Sequence, residues 1–222
     1  MDPGQPGHGE PEEICSMKLY FSPGACSQSP HIVLRESGAE FETVQVDTKT
    51  KKTKDGADFF KVNPKGMVPA LELDNGEVLT EGPMIVQYIA DKQKSTDLVP
   101  AAGTFERYRV LEWLNYITSE IHKTFSPLFN PKTPEDFKAV LKQNLAARFA
   151  HLNDTLAGRP YLTGDTFTAA DAYLFVVTNW ARFHNIDIAQ WPNLKAFVDR
   201  VAARPKVRET LQAEGLLKAS AA

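Results

Sequence analysis

The sequence predicts an α/β N-terminal domain followed by an all-α C-terminal domain. Three observations carry this. Strand and helix signals alternate over residues 17–92. Apolar residues then recur at helical spacing over residues 103–216. The length of 222 residues lies between one and two domains at about 150 residues each.

Each element follows from local signals. Lys18-Leu19-Tyr20-Phe21 reads as a short strand closed by Pro23-Gly24. Ile32-Val33-Leu34 sits in a helix that Gly38 ends. Phe41 to Val46 alternates as a half-buried strand should. Asp58 to Val62 reads as a short helix. Val68 to Leu73, the turn Asp74-Asn75-Gly76 and Glu77 to Thr80 read as a hairpin, and Glu81 to Lys92 as a closing helix. The order β-α-β-α-β-β-α predicts a four-stranded mixed sheet. Ser95 to Gly103 joins the halves. Beyond it, Val110, Trp113, Leu114, Ile117 and Ile121 mark one helix. Thr133-Pro134-Glu135-Asp136 predicts an N-cap at Thr133 with proline as the first helical residue; Leu141 to Leu156 follow, and Gly158 stops that helix. Thr168-Ala169-Ala170-Asp171 reads as a capping box with Asp in place of Glu. Pro192 starts a further helix, and Arg204-Pro205 breaks it.

The expected division is 1–16, a disordered leader or tag; 17–94, the α/β domain; and 103–217, the helical domain. The first sixteen residues hold three prolines, three glycines and four acids, and have neither the basic nor the apolar region of a signal peptide. Without them the formal charge of −3 becomes +1, with 25 basic residues against 24 remaining acids. A near-neutral body argues against nucleic acid as the main partner. No stretch has the roughly 18 to 20 apolar residues of a membrane span. Of two cysteines, Cys15 falls in the leader and Cys26 in the body, which suits a reducing, cytoplasmic setting. Lys49, Lys51, Lys52 and Lys54 read as a solvated loop. No acid-histidine cluster suggests a metal, and His31, His151 and His184 read as ordinary core or surface histidines.

Three motifs carry chemistry. In Ser22-Pro23-Gly24-Ala25-Cys26-Ser27 a thiol stands at a helix start, where dipole and free N–H groups are expected to lower its pKa. Cys26-Ser27-Gln28-Ser29 has serine in place of a resolving cysteine, so a second thiol must come from outside the body. Val68-Pro69 starts a strand and offers Val68 an extended backbone for pairing with a peptide-like ligand. In Thr80-Glu81-Gly82-Pro83 a helix start without a side chain at Gly82 suits a carboxylate, and Glu81 suits an ammonium. At 100° per residue, Asn115, Thr118, Ser119 and His122 share a polar stripe, with Glu120 about 140° round from Asn115.

Together with Asn63-Pro64-Lys65-Gly66-Met67-Val68-Pro69, Leu79-Thr80-Glu81-Gly82 and Glu112-Trp113-Leu114-Asn115-Tyr116-Ile117, these motifs closely resemble the bacterial beta-class glutathione S-transferases. The resemblance runs from residue 17 to about 217. It implies a thioredoxin-like N-terminal domain, a homodimer and a cis Val68-Pro69 bond. It also implies glutathione as substrate. Cys26 would meet the glutathione sulfur with His122 nearby, these two being the catalytic pair. Lys51 would hold the glycyl carboxylate, Val68 the cysteinyl backbone, and Glu81 with Gly82 the γ-glutamyl end. Asn115, Ser119, Glu120 and His122 match contributions from the first long helix, and the angular offset of Glu120 points to delivery across a dimer cleft. Phe125, Phe129 and Trp180 are candidates for an apolar second-substrate pocket. Tyr20 precedes Phe21 on a strand whose faces alternate, so no catalytic role is assigned to Tyr20.

The implied activity is conjugation of the glutathione thiol to small electrophiles, often aromatic or halogenated, as in detoxification. The alternatives are glutaredoxin-like thiol-disulfide exchange, or glutathione-dependent dehalogenation or peroxidase activity, through a mixed disulfide on Cys26. A non-catalytic ligand-binding module is the other class of reading.

Overall fold

The computed structural model describes residues 17–217. The expected leader, with Cys15, lies outside the described residues. The first half contains β1 (Met17–Phe21), α1 (Gln28–Glu36), β2 (Phe41–Asp47), β3 (Lys52–Thr53), β4 (Ala70–Glu72), β5 (Val78–Thr80) and α2 (Gly82–Lys92). The strands form one mixed sheet in the order β3-β2-β1-β4-β5. β1 runs parallel to β2 and antiparallel to β4, which forms the hairpin with β5.

This corrects the four-stranded expectation. β3 adds an edge through the pairs Val46–Thr53 and Asp47–Lys52, inside the lysine cluster read as loop. Two residues are too few for an alternation to appear in sequence. Thr53 is buried there, and its hydroxyl bonds Asp55 and the Ala57 carbonyl. The helix expected over Asp58 to Val62 is a shorter 3-10 turn, Phe59–Lys61, capped by the Asp58 carboxylate on the Phe60 N–H.

β1 lies between two apolar layers. Met17, Leu19 and Phe21 join the larger core, while Tyr20 packs with Val46, Phe59 and Ala70 on the other face. The period-two alternation of a strand makes that division.

The second half begins with α3 (Phe105–Tyr116), which continues through a π-helical stretch, Ile117–His122, into α4 (Lys123–Phe125). Then come α5 (Glu135–Thr155), α6 (Ala169–Thr178), α7 (Pro192–Ala202) and α8 (Pro205–Ala213), with 3-10 turns between several of them. The expected cap of α5 is displaced by one residue. Pro134 has an extended ψ of 144°, so the helix starts at Glu135, and the Thr133 hydroxyl donates to the Pro127 carbonyl at 2.6 Å. The capping box of α6 forms as the sequence predicts. The Asp171 carboxylate accepts from the Thr168 N–H and hydroxyl, both at 2.8 Å, and also from the Leu162 N–H at 2.9 Å.

Every residue of α6 is buried, as an apolar helix at the centre of a bundle requires. α1 packs against α6 and α8, so one core passes from Leu19 and Ile32 to Leu174 and Val201. Two bidentate ion pairs also cross between the halves. Arg107 holds Asp91 with two contacts of 2.8 Å, and Arg204 holds Glu36 at 2.7 and 2.8 Å.

Candidate functional site

A cleft of about 770 Å³ opens between the C-terminal edge of the sheet and the helices. Cys26, Lys51, Val68, Glu81, Gly82, His122, Phe129 and Trp180 all line it. A second cleft of about 480 Å³, beside Trp113 and His151, holds none of the expected site residues.

The turn after β1 sets the thiol. The Ala25 N–H donates to the Ser22 carbonyl at 3.0 Å, and the buried Ser27 hydroxyl accepts from the Ser22 N–H at 3.0 Å. Ser27 is the N-cap, so Cys26 stands two residues before α1 rather than in its first turn. The half-buried thiol donates to the Val68 carbonyl at 3.3 Å. Burial pushes Cys26 up to about 12, against a smaller downward pull from the Cys26 and Ser27 N–H groups; nearby Glu81 adds to the rise. The expected lowering of this thiol is therefore corrected. Desolvation by the protein packed against the half-buried sulfur outweighs the helix start, and the thiol is already placed as a donor.

The same turn is held from the far half of the chain. The Gly24 N–H donates to Glu214 at 2.9 Å, and the Gly24 carbonyl accepts from the Trp180 indole N–H at 2.9 Å. The buried Glu214 carboxylate also meets Gln28 and His31, each at 2.9 Å. Nothing in the sequence announced this, since Glu214 lies 190 residues from Gly24. His31 is thus a core histidine with a defined partner.

Val68-Pro69 is cis. Lys51 has a φ of +58°, unusual for a residue with a side chain, and its ammonium donates to the Gly66 carbonyl at 2.7 Å. Glu81 has a φ of +69° at the start of α2, and its carboxylate makes no cap bond. It meets Lys65 at 2.6 Å instead. Lys65 stands within the Asn63-to-Pro69 motif, whose sequence alone marks no role for it.

His122 comes from the π-helical stretch. Its Nδ1 lies 2.5 Å from the Tyr173 hydroxyl, and its ring meets Trp180 edge-on at 4.9 Å. Burial lowers His122 to about 4, with Lys123 adding to the effect and Glu81 opposing it. The imidazole is therefore neutral at neutral pH. Tyr173 also lines the cleft and was missed, because it sits in a run of apolar residues that reads only as core.

The polar stripe of this helix is divided by the cleft. Thr118 and His122 face the cleft, while Asn115, Ser119 and Glu120 do not line it. The exposed Ser119 donates to the Asn115 carbonyl at 3.1 Å, and Glu120 holds Arg148 of α5 at 2.8 Å. Phe125 is a second correction. It is fully buried against Phe149 and Trp180 and does not reach the cleft. Phe183 and Leu216 provide apolar wall in its place. Tyr20 lies on the opposite face of the sheet, with its hydroxyl on Glu72 at 2.7 Å. Among the described residues no group of His, Cys, Asp or Glu is arranged to hold a metal. No helix among them is long and apolar enough to cross a membrane.

Comparison with known proteins agrees with this architecture. Residues 15–91 match the glutathione S-transferase N-terminal domain, and residues 116–205 match the C-terminal domain. The chain is 46% identical over 200 residues to glutathione S-transferase GstA of Escherichia coli O157:H7, covering 90% of this chain and all of that one. A solved glutathione transferase from Methylococcus capsulatus superimposes with a TM-score of 0.88 at 53% identity, over 90% of this chain and 100% of its own. A sphingomonad glutathione S-transferase complexed with glutathione superimposes with a TM-score of 0.86 at 48% identity, over the same shares. With both halves matched in order and whole relatives covered, the chain belongs to the glutathione S-transferase family.

Proposed function

We propose that this transferase lays glutathione along the cleft with its cysteinyl backbone on Val68, its γ-glutamyl end on Glu81 and Gly82, and its glycyl carboxylate on Lys51. The glutathione sulfur then lies beside Cys26 and His122. Phe129, Trp180 and Phe183 form an apolar wall for a small electrophile, aromatic or halogenated compounds being the natural class. Residues 17–94 act as the glutathione-binding domain and residues 103–217 as the helical domain that supplies this wall.

The observation that carries this reading is the Cys26 thiol lining the cleft, placed as a donor to the Val68 carbonyl at 3.3 Å. Burial keeps Cys26 as S–H, and that S–H is a donor. Once the ligand backbone takes the Val68 carbonyl, the released S–H donates to the glutathione sulfur and favours its thiolate form. Neutral His122 adds a second polar group that costs no charge. Such a site promotes conjugation by hydrogen bonding, without Cys26 itself acting as a nucleophile. In the beta-class homodimer that the resemblance implies, Asn115, Ser119 and Glu120, which lie outside the cleft of their own chain, serve a partner's site. A cytoplasmic, detoxifying role accords with the reducing conditions that both thiols require.

Replacing Cys26 with Ala tests this. Conjugation of a chlorodinitrobenzene should fall less than about tenfold, the scale of one hydrogen bond. Any mixed disulfide and thiol exchange should disappear. Loss of conjugation by a thousandfold would instead make the sulfur a required nucleophile and favour the exchange reading.

A further inference from the structure

We propose that Lys65 is a binding residue for the amino-acid end of the ligand, and that Lys65 and Glu81 together select a zwitterion. This rests on the reading that the cleft holds glutathione.

The backbone beneath Lys65 is fixed without help from its side chain. Buried Asn63 donates to the Met67 carbonyl at 2.6 Å and accepts from the Lys65 N–H at 3.1 Å. Gly66 takes a φ of +62°, and a Cβ there would stand 2.6 Å from the Phe60 ring. Lys51 pins the Gly66 carbonyl. The Lys65 ammonium, by contrast, is half exposed and reaches across to Thr80 at 3.0 Å and Glu81 at 2.6 Å. An exposed pair of this kind contributes little to folding. Both partners nevertheless line the cleft. Glu81 holds its strained backbone without using its carboxylate as a cap.

The charges are complementary to one kind of ligand end. An α-amino acid carries an ammonium and a carboxylate on the same carbon. Its ammonium replaces Lys65 on Glu81, and its carboxylate takes the released Lys65. The helix start favours the same carboxylate through the Gly82 N–H, since Pro83 has no N–H and the Met84 N–H already donates to the Glu81 carbonyl at 2.9 Å. One internal pair becomes two pairs with the ligand, and no charge is left alone. A ligand with the ammonium but no carboxylate gains nothing from Lys65, which then competes with it for Glu81.

Isothermal titration of wild type, Lys65→Met and Lys65→Arg tests this with two ligands. One is glutathione; the other is γ-aminobutyryl-cysteinyl-glycine, which lacks only the α-carboxylate. Lys65→Met should weaken glutathione about five- to tenfold and leave the analogue unchanged or tighter, while Lys65→Arg keeps the wild-type preference. Equal weakening of both ligands by Lys65→Met, or no change in either, overturns the proposal while wild-type binding of glutathione leaves the cleft reading standing. Failure of the wild type to bind glutathione overturns that reading and this one with it.

Discussion

At Cys26 two influences compete. The start of α1 draws the thiol toward its anion, while the surrounding protein withholds the water that an anion needs. The second wins. The motif therefore located the sulfur correctly along the chain but gave the wrong protonation state, because enclosure depends on residues far away in sequence. His122 follows the same logic with opposite charge. Its folded pKa of about 4 lies below the ordinary 6.5. The unfolded chain takes up this proton first, so the contribution is a loss of stability as pH falls from about 6.5 to about 4. The direct measurement is a titration of the ring by NMR. The His122 signals should stay in place between pH 8 and pH 5.5, and an inflection near 6.5 would mean that the ring is solvated. Lys51 and His122 came only from the family resemblance, whereas Cys26, Val68, Glu81 and Gly82 were legible as cleft residues because each sits in a short motif. Tyr173, Lys65 and Glu214 were not, because an apolar context, an unassigned lysine and a distant acid carry no local mark of a site.

Among the elements, α6 is the one most dependent on its first turn. Three donors converge on Asp171, and two of them are main-chain N–H groups buried with it. Asp171→Ala leaves these without an acceptor and should cost about 3 kcal/mol in urea unfolding, combining a lost cap with unsatisfied buried donors. A cost below about 1 kcal/mol would mean that water replaces the carboxylate. This box was readable because both its residues lie within one helical turn. The start of α5 was less so, since a Thr-Pro pair allows either residue to precede the helix. The π-helical stretch at Ile117–His122 could not be read at all. Its apolar spacing suits an ordinary helix, with Ile117 and Ile121 buried four residues apart, and only the backbone hydrogen-bonding pattern reveals the wider turn. That stretch carries both polar residues of the helix that line the cleft, Thr118 and His122.

Over the whole molecule, two kinds of link join the halves, and they differ in what they hold. Arg204 grips Glu36 and lies 4.1 Å from the Phe167 ring centre, away from the cleft. Glu214 grips the peptide that carries the thiol turn. Arg204→Ala should lower stability by about 2 kcal/mol and leave the KM for glutathione unchanged. Glu214→Ala should lower stability by about 3 kcal/mol, since three donors lose their acceptor, and should also raise that KM several-fold. Equal kinetic behaviour in the two variants would show that Glu214 is only a brace. The two-part layout was visible in the change of periodicity near residue 95, but these links were not, because ion pairs over such separations leave no pattern. The clamp on Gly24 also has a consequence in time. Synthesis proceeds from the N-terminus, so the Ser22–Ser27 turn is made long before α8. Its acceptor, Glu214, is added 190 residues after Gly24. The sulfur therefore belongs to an unfinished turn until the residue that caps α8 has been made.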